Sequence, residues 1–133
     1  MFAVQITGQR LGNDGYMLTF GIDWDDVISP LNDCAIELAN EEYHFEPPLT
    51  LEDIDSWENT GRASVIKKYY SDPRLYEMQQ VSDQAKAFIR TLQTKGIVYI
   101  VTAVQPQFMS KRVEQIKTAF PDFPDENIIM GFQ

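Results

Sequence analysis

The sequence predicts an α/β fold with a parallel sheet. After residue 16, apolar strand patterns alternate with helical patterns in the order strand, helix, strand, helix, strand. Such alternation is typical of parallel strands that are joined by right-handed crossovers. The strand at residues 97–101 is apolar throughout, which is typical of a sheet covered on both faces. Together these observations predict a Rossmann-like, three-layer α/β/α arrangement.

Composition and charge limit the class of protein. The chain has 133 residues, the size of one domain, and 44% of them are hydrophobic and 23% charged, as in soluble globular proteins. A net charge of −9 disfavours nucleic-acid polymers as partners but leaves small anionic substrates open. The longest apolar run is far shorter than the ~20 residues of a membrane span, and the first residues lack the pattern of a secretory signal. With one cysteine, these features favour a cytoplasmic protein that has no membrane partner.

Two strands are predicted near the start of the chain, at residues 2–7 and 16–22. The Asn13-Asp14-Gly15 stretch between them carries a turn signal, so the two strands can form an antiparallel hairpin. We treat residues 1–15 as an N-terminal extension of a core formed by residues 16–43 and 81–133. Ser29 and Pro30 are predicted to begin the first helix of that core.

Residues 44–80 predict a small helical cap that is inserted into the core. A short helix is expected to begin at Thr50, with Asp53 in the position of a capping box, and "ASVIKKYY" predicts a further helix that ends near Pro73. The aromatic side chains of this region fit either the core of the cap or stacking against a substrate. These side chains are Trp57, Tyr69, Tyr70 and Tyr76.

Two amphipathic helices are predicted around the strand at residues 97–101. Ser82 is expected to cap the first, whose apolar positions are Ala85, Phe88, Ile89 and Leu92. The second begins near Gln107, and its predicted inner side consists of Met109, Val113, Ile116 and Phe120. Lys111 and Arg112 are outside this inner side, so they are predicted to be solvated, although one of them could reach a bound phosphate. "NIIMGF" predicts the last strand.

Three carboxylates, those of Asp23, Asp25 and Asp26, follow the strand at residues 16–22. Ligands of parallel sheets bind beyond the carboxyl ends of the strands, and Thr102 ends the next parallel strand. Residues two apart in an extended chain face the same way, so Asp23 and Asp25 can face one site while Trp24 and Asp26 turn aside. Two converging carboxylates suit a hard divalent cation such as Mg²⁺, which would also offset their repulsion.

Two segments resemble the haloacid dehalogenase-like phosphatase superfamily. "GIDWDDVI", at residues 21–28, resembles motif I of that superfamily, and "VYIVTA", at residues 98–103, resembles motif II. The pattern is similar to that of the 5′(3′)-deoxyribonucleotidases, which place a small helical cap between these motifs. The resemblance covers residues 16–133, with Asp26 where those enzymes usually have glycine. The motif III lysine and the motif IV acids of the family would fall after Gln133.

The resemblance implies a magnesium-dependent phosphohydrolase that acts on a small phosphorylated substrate, a (deoxy)nucleoside monophosphate. Asp23 would be the nucleophile that forms an aspartyl phosphate, and Asp25 would act as general acid and then as general base. Mg²⁺ would be held by the Asp23 carboxylate and the Asp25 backbone carbonyl. The Thr102 hydroxyl and the Ala103 amide would hold the phosphate, and the cap would close over the site.

Other interpretations of the acidic cluster stay open. A calcium loop of the EF-hand type is disfavoured, because Ile28 stands where that loop needs glycine. A receiver domain would need a phosphoacceptor aspartate at the end of a third strand, and no such strand is evident before Ile97. The cluster could also be a solvated strand end. The alternative function is a catalytically reduced binding module that keeps the fold and lacks motifs III and IV.

One edge of the strand at residues 16–22 needs cover. In the resembling fold this strand lies between the strands of motifs II and IV, and an unpaired apolar edge is prone to association. We favour the hairpin strand at residues 2–7 as its neighbour, because the turn chemistry is present in the sequence. A second copy of the chain, giving a homodimer, and a longer polypeptide are the alternatives.

Overall fold

A four-stranded sheet organises the fold, in the order β1-β2-β3-β4. The structure is a computed structural model that describes residues 4–10, 16–54 and 61–132. Strand β2 runs parallel to β3, and β3 runs parallel to β4, which confirms the predicted parallel sheet. The strands are β1 (Val4–Arg10), β2 (Tyr16–Asp23), β3 (Gly96–Val104) and β4 (Ile128–Phe132).

The predicted hairpin pairing is confirmed, because β1 lies antiparallel to β2. Thr7 is the register partner of Thr19, and Gln5 is the partner of Gly21. The strand is longer than the predicted residues 2–7, and the predicted turn at residues 13–15 lies outside the described residues. Since β2 is flanked by β1 on one side and by β3 on the other, no dimer is needed to cover this edge.

The helices alternate with the parallel strands, so that the architecture is mixed α/β and compatible with a Rossmann-like fold. Within the described ranges, no helix is long and apolar enough to cross a bilayer. The α-helices are α1 (Asn32–Tyr43), α2 (Pro73–Met78), α3 (Asp83–Lys95) and α4 (Met109–Ala119), and the short 3-10 helices are Leu51–Asp53, Gly61–Ser71, Pro106–Phe108 and Asp125–Asn127.

The chain divides into two compact units, one formed by residues 1–29 and 80–133 and the other by residues 30–79. The predicted cap began at residue 44, whereas the second unit begins at Pro30 and includes α1. The difference arises because α1 packs on the helices Gly61–Ser71 and Pro73–Met78 of its own unit. Which elements a helix contacts cannot be read from its own periodicity.

Two of the three capping interactions that the sequence predicts at helix N-termini are present in the structure. The Ser82 side chain accepts a hydrogen bond from the Ala85 amide at 3.0 Å, and the Asp53 carboxylate accepts one from the Thr50 amide at 2.9 Å, as predicted. The prediction that Ser29 caps α1 is wrong. Its buried hydroxyl instead donates to the Gln80 carbonyl oxygen at 2.9 Å.

The core of the first unit lies between the sheet and helices α3 and α4. Its buried cluster includes Ile22, Trp24, Ile89, Ile100 and Ile116. Phe88, predicted on the inner side of α3, is 45% exposed, so that prediction is wrong. The neighbouring Ile89 occupies the centre of the buried face instead.

At Gly96, the backbone of β2 leaves no room for a side chain on β3. A Cβ at this position would lie 2.2 Å from the Leu18 carbonyl oxygen, which is a backbone atom and cannot move aside cheaply. We therefore expect Gly96→Ala to lower the free energy of unfolding by about 1–3 kcal/mol, the usual cost of overpacking. Urea denaturation of the purified protein measures this change.

Gly131→Ala is the matched control for that substitution. Gly131 also lies in a parallel strand, but an added Cβ would meet its nearest atom, the Ala103 Cβ, at an ordinary 3.8 Å. An equal loss of stability in both variants would contradict the steric explanation.

Candidate functional site

A tight turn follows β2 and carries the acidic cluster. The Trp24 carbonyl oxygen accepts hydrogen bonds from the amides of Ile28, at 3.0 Å, and Ser29, at 3.1 Å. Asp26 has a φ of 61°, in the left-handed region that aspartate tolerates better than most residues. The turn therefore places Asp25 directly beyond the carboxyl end of β2.

The side chain of Trp24 turns away from this turn into the core, as predicted. It is 1% exposed, and its ring meets the edge of Phe120 at a centroid distance of 6.5 Å and an interplanar angle of 82°. Trp24 therefore anchors the base of the turn by packing, and its two acidic neighbours in the sequence take no part in the core.

Arg112, on α4, joins the turn after β2 to β3. Its Nη2 atom lies 2.9 Å from Oδ1 of Asp25, and its Nη1 atom lies 3.2 Å from Oδ2. Nη1 also donates to the Thr102 hydroxyl, and Nε donates to the Gln115 side-chain oxygen at 2.8 Å. One guanidinium thus holds two of the predicted site residues, Asp25 and Thr102, in one network.

Burial makes this ion pair energetically different from a surface pair. The Arg112 side chain is 0% exposed, and the Asp25 side chain is 22% exposed. A buried charge is tolerated when it is paired and its donors are used, and the planar fork of arginine matches both oxygens of a carboxylate. The Trp24 ring lies beneath the same guanidinium, with its centroid 6.0 Å from the Cζ atom.

Not every predicted site residue belongs to this network. Asp23 lies at the end of β2 in register with Val101 of β3, and its carboxylate has no hydrogen-bond or ion-pair partner among the described residues. Ala103 lies in β3 in register with Gly131 of β4. Thr102, between Val101 and Ala103 in β3, is buried and contacts the network directly.

The prediction that Arg112 is solvated is wrong, whereas Ile116 and Phe120 of the predicted inner side of α4 are buried as expected. Val113 is exposed, while Lys111, half-buried, lies 3.4 Å from Glu114 in a peripheral ion pair. A sequence signal was present, because Arg112 belongs to a row of buried residues spaced by four positions. That row consists of Phe108, Arg112, Ile116 and Phe120.

The oxygen donors near Asp23 suit a magnesium ion. In the part of the chain that the structure describes, no group of three or more His, Cys, Asp or Glu side chains could hold a metal ion. The Asp23 carboxylate and the Asp25 backbone carbonyl would supply two oxygens. Mg²⁺ commonly takes one or two protein carboxylates and keeps several waters, so this donor set fits it.

A second polar cluster lies within the unit formed by residues 30–79. The Lys68 ammonium donates to the Glu42 carboxylate at 3.0 Å and to the Tyr43 hydroxyl at 2.7 Å, and the Tyr69 hydroxyl donates to Glu42. Tyr69 and Tyr76 are buried, so both contribute to the core of this unit. Trp57 lies outside the described residues.

Comparisons with known proteins give no family assignment. Neither a scan against protein-family models nor a search of curated proteins found a match to this chain.

The Arg112–Asp25 pair gives a prediction for stability. Arg112→Met would leave the Asp25 carboxylate without its guanidinium, and we expect it to lower the free energy of unfolding by about 3 kcal/mol. Lys111→Met is the matched control on the same helix, and breaking that peripheral pair should cost less than about 1 kcal/mol. Urea denaturation of both variants measures the difference, and equal losses would contradict the role assigned to the buried pair.

Tyr69 gives a prediction for pH dependence. Burial, together with the hydrogen bond to Glu42, raises the pKa of Tyr69 to about 12. The folded state therefore favours the neutral phenol, and this contribution to stability is complete below the unfolded pKa of about 10 and is lost as the pH rises towards 12. Urea denaturation between pH 8 and 11 should show a smaller loss of stability in Tyr69→Phe than in the wild type. A Tyr99→Phe variant controls for the removal of one phenol, and identical pH profiles for Tyr69→Phe and the wild type would contradict the prediction.

Proposed function

We propose that the protein is a magnesium-dependent phosphohydrolase of the haloacid dehalogenase-like type. The observation that carries the proposal is the network in which Arg112 joins Asp25 to Thr102, beside the carboxyl end of the strand that carries Asp23. This is the position at which open parallel sheets bind ligands. Asp23, Asp25 and Thr102 are the residues that the resemblance to motifs I and II assigns to nucleophile, general acid and phosphate contact.

Two further features support the proposal. The strand that resembles motif I pairs directly with the strand that resembles motif II, as the family fold requires. In addition, Asp26 adopts a left-handed backbone conformation at the position where the resembling nucleotidases usually have glycine. Glycine adopts that conformation without steric cost, so the departure at Asp26 keeps the same turn.

The proposed reaction has two steps, and both use the carboxylates of the turn. In the first, an Asp23 oxygen attacks phosphorus, the bond from phosphorus to the leaving oxygen breaks, and that oxygen takes a proton from the Asp25 carboxylic acid. In the second, Asp25 takes a proton from water as that water attacks the aspartyl phosphate. The bond between Asp23 and phosphorus then breaks, which restores the carboxylate and releases inorganic phosphate.

Charge compensation is the main requirement of such a site, because a phosphate dianion must approach two aspartates. Bound Mg²⁺, held by the Asp23 carboxylate and the Asp25 carbonyl, would supply part of the positive charge. Arg112 offsets the charge of Asp25, and the Thr102 hydroxyl and Ala103 amide would bind phosphate oxygens. A small substrate, a (deoxy)nucleoside monophosphate by the resemblance, fits a chain whose net charge of −9 repels polyanions.

One observation favours the alternative, a catalytically reduced binding module. Both carboxylate oxygens of Asp25 lie within hydrogen-bond distance of Arg112, and this contact stabilises the ionised form that cannot donate a proton. A module of this kind would bind a phosphorylated ligand at the same edge without turning it over.

Hydrolysis of p-nitrophenyl phosphate by the full chain tests the proposal. We expect turnover only with Mg²⁺, and a decrease in kcat of roughly a hundredfold or more for Asp23→Asn, because a group acting in the transition state is lost. Asp26→Asn is the matched control: it removes the same charge three residues further on and tolerates the same backbone conformation. A panel of nucleoside monophosphates then identifies the substrate.

The outcomes separate the two functions. Wild-type turnover in Asp23→Asn, or equal losses in Asp23→Asn and Asp26→Asn, would reject Asp23 as the nucleophile. Binding of inorganic phosphate without any turnover would favour the binding module.

A further inference from the structure

We infer that Arg112 is a positioning residue that turns the Thr102 hydroxyl into a hydrogen-bond donor for an anion at the carboxyl edge of the sheet. The inference deepens the proposed function and rests on its phosphate site. It is carried by the contact between Arg112 and Thr102 and by the complete burial of the guanidinium.

The direction of the hydrogen bond between these residues is fixed by chemistry. A guanidinium carries five N–H donors and no acceptor, so the Thr102 oxygen must accept in this contact. A hydroxyl has one hydrogen of its own, which is then directed elsewhere. Among the described residues, no side chain or backbone group accepts that hydrogen.

An acceptor at this point would complete the hydrogen bonding of a buried group. Thr102 lies in β3 and shares Arg112 with Asp25, which follows the carboxyl end of β2. Its hydroxyl therefore lies near the edge of the sheet at which the proposed function would place a phosphoryl group. A hydroxyl whose oxygen accepts from a cation is also polarised, and it becomes a stronger donor. An oxygen atom of a phosphoryl group is the acceptor that the proposed function supplies.

Arg112 itself is not placed to bind the anion. Its side chain is 0% exposed, and its nitrogens are engaged by Asp25, Thr102 and Gln115. It therefore acts through the groups that it holds, as a positioning residue. This distinguishes Arg112 from a cation that contacts the phosphate directly, since only an indirect role makes its contribution depend on Thr102.

A double-mutant cycle on phosphate affinity tests this dependence. Inorganic phosphate is titrated in the presence of Mg²⁺ into the full chain and into Thr102→Val, Arg112→Met and the double variant. We expect each single variant to weaken binding by about tenfold or more, the usual value of a hydrogen bond to a charged group. The double variant should bind within about twofold of Thr102→Val, because contacts that act through one another are not additive.

Control variants separate positioning from general effects of charge and folding. Lys111→Met removes one positive charge from the same helix and should keep the wild-type affinity. Circular dichroism checks that each variant is folded. If Arg112→Met does not fold, the same cycle is measured in an Asp25→Asn background, in which the substitution leaves no unpaired carboxylate.

Each outcome decides the inference. Additive losses, a wild-type affinity in Arg112→Met, or an equal loss in Lys111→Met would overturn it, as would a wild type that does not bind phosphate. Turnover of p-nitrophenyl phosphate is measured in parallel. If the protein turns over substrate but the losses of phosphate affinity are additive, the inference is rejected and the proposed function is kept. If the losses are not additive and there is no turnover, the inference is kept and the proposed function is rejected.

Discussion

The buried charge of Arg112 constrains the arrangement of the elements around it. A guanidinium without solvent needs partners for its donors, and these come from the turn after β2, from β3 and from α4 itself. The rotation of α4 about its axis, the position of Asp25 and the orientation of the Thr102 side chain are consequently linked. A change in one of them leaves a buried polar group without a partner, which costs more than the pair contributes when it is intact.

The antiparallel strand β1 pairs with the edge of β2 that would otherwise have no neighbouring strand. Parallel strands tend to be buried within their sheet, and β2 carries the acidic turn that forms the candidate site. All seven residues of β1 pair with β2. Strand β1 therefore holds β2 in place, but it contributes no residue to the Arg112 network at the end of β2. Stability of the sheet and chemistry at its carboxyl edge are thus supplied by different parts of the chain.

The parallel order of strands and the hairpin pairing were predictable, because both follow from short-range patterns of apolar residues and turn residues. The face of α4 was not, since an arginine counts as polar until its carboxylate partner is known, and Asp25 is distant in the sequence. Similarly, the periodicity of α1 does not reveal that it packs on the 3-10 helix Gly61–Ser71. The predicted site therefore named Asp25 and Thr102 but not the buried cation that contacts both of them.

The order of the strands along the chain has a consequence for biosynthesis. Strand β2 is made long before β3, because residues 24–95 separate the two, and an apolar strand without a neighbour during that interval is prone to aggregate. Its hairpin partner β1 is already available, and a hairpin closes within microseconds whereas the ribosome adds about 5–20 residues each second. The first strand is therefore the one neighbour in the β1-β2-β3-β4 sheet that is made before β2, so that β2 has a pairing partner before β3 is synthesised.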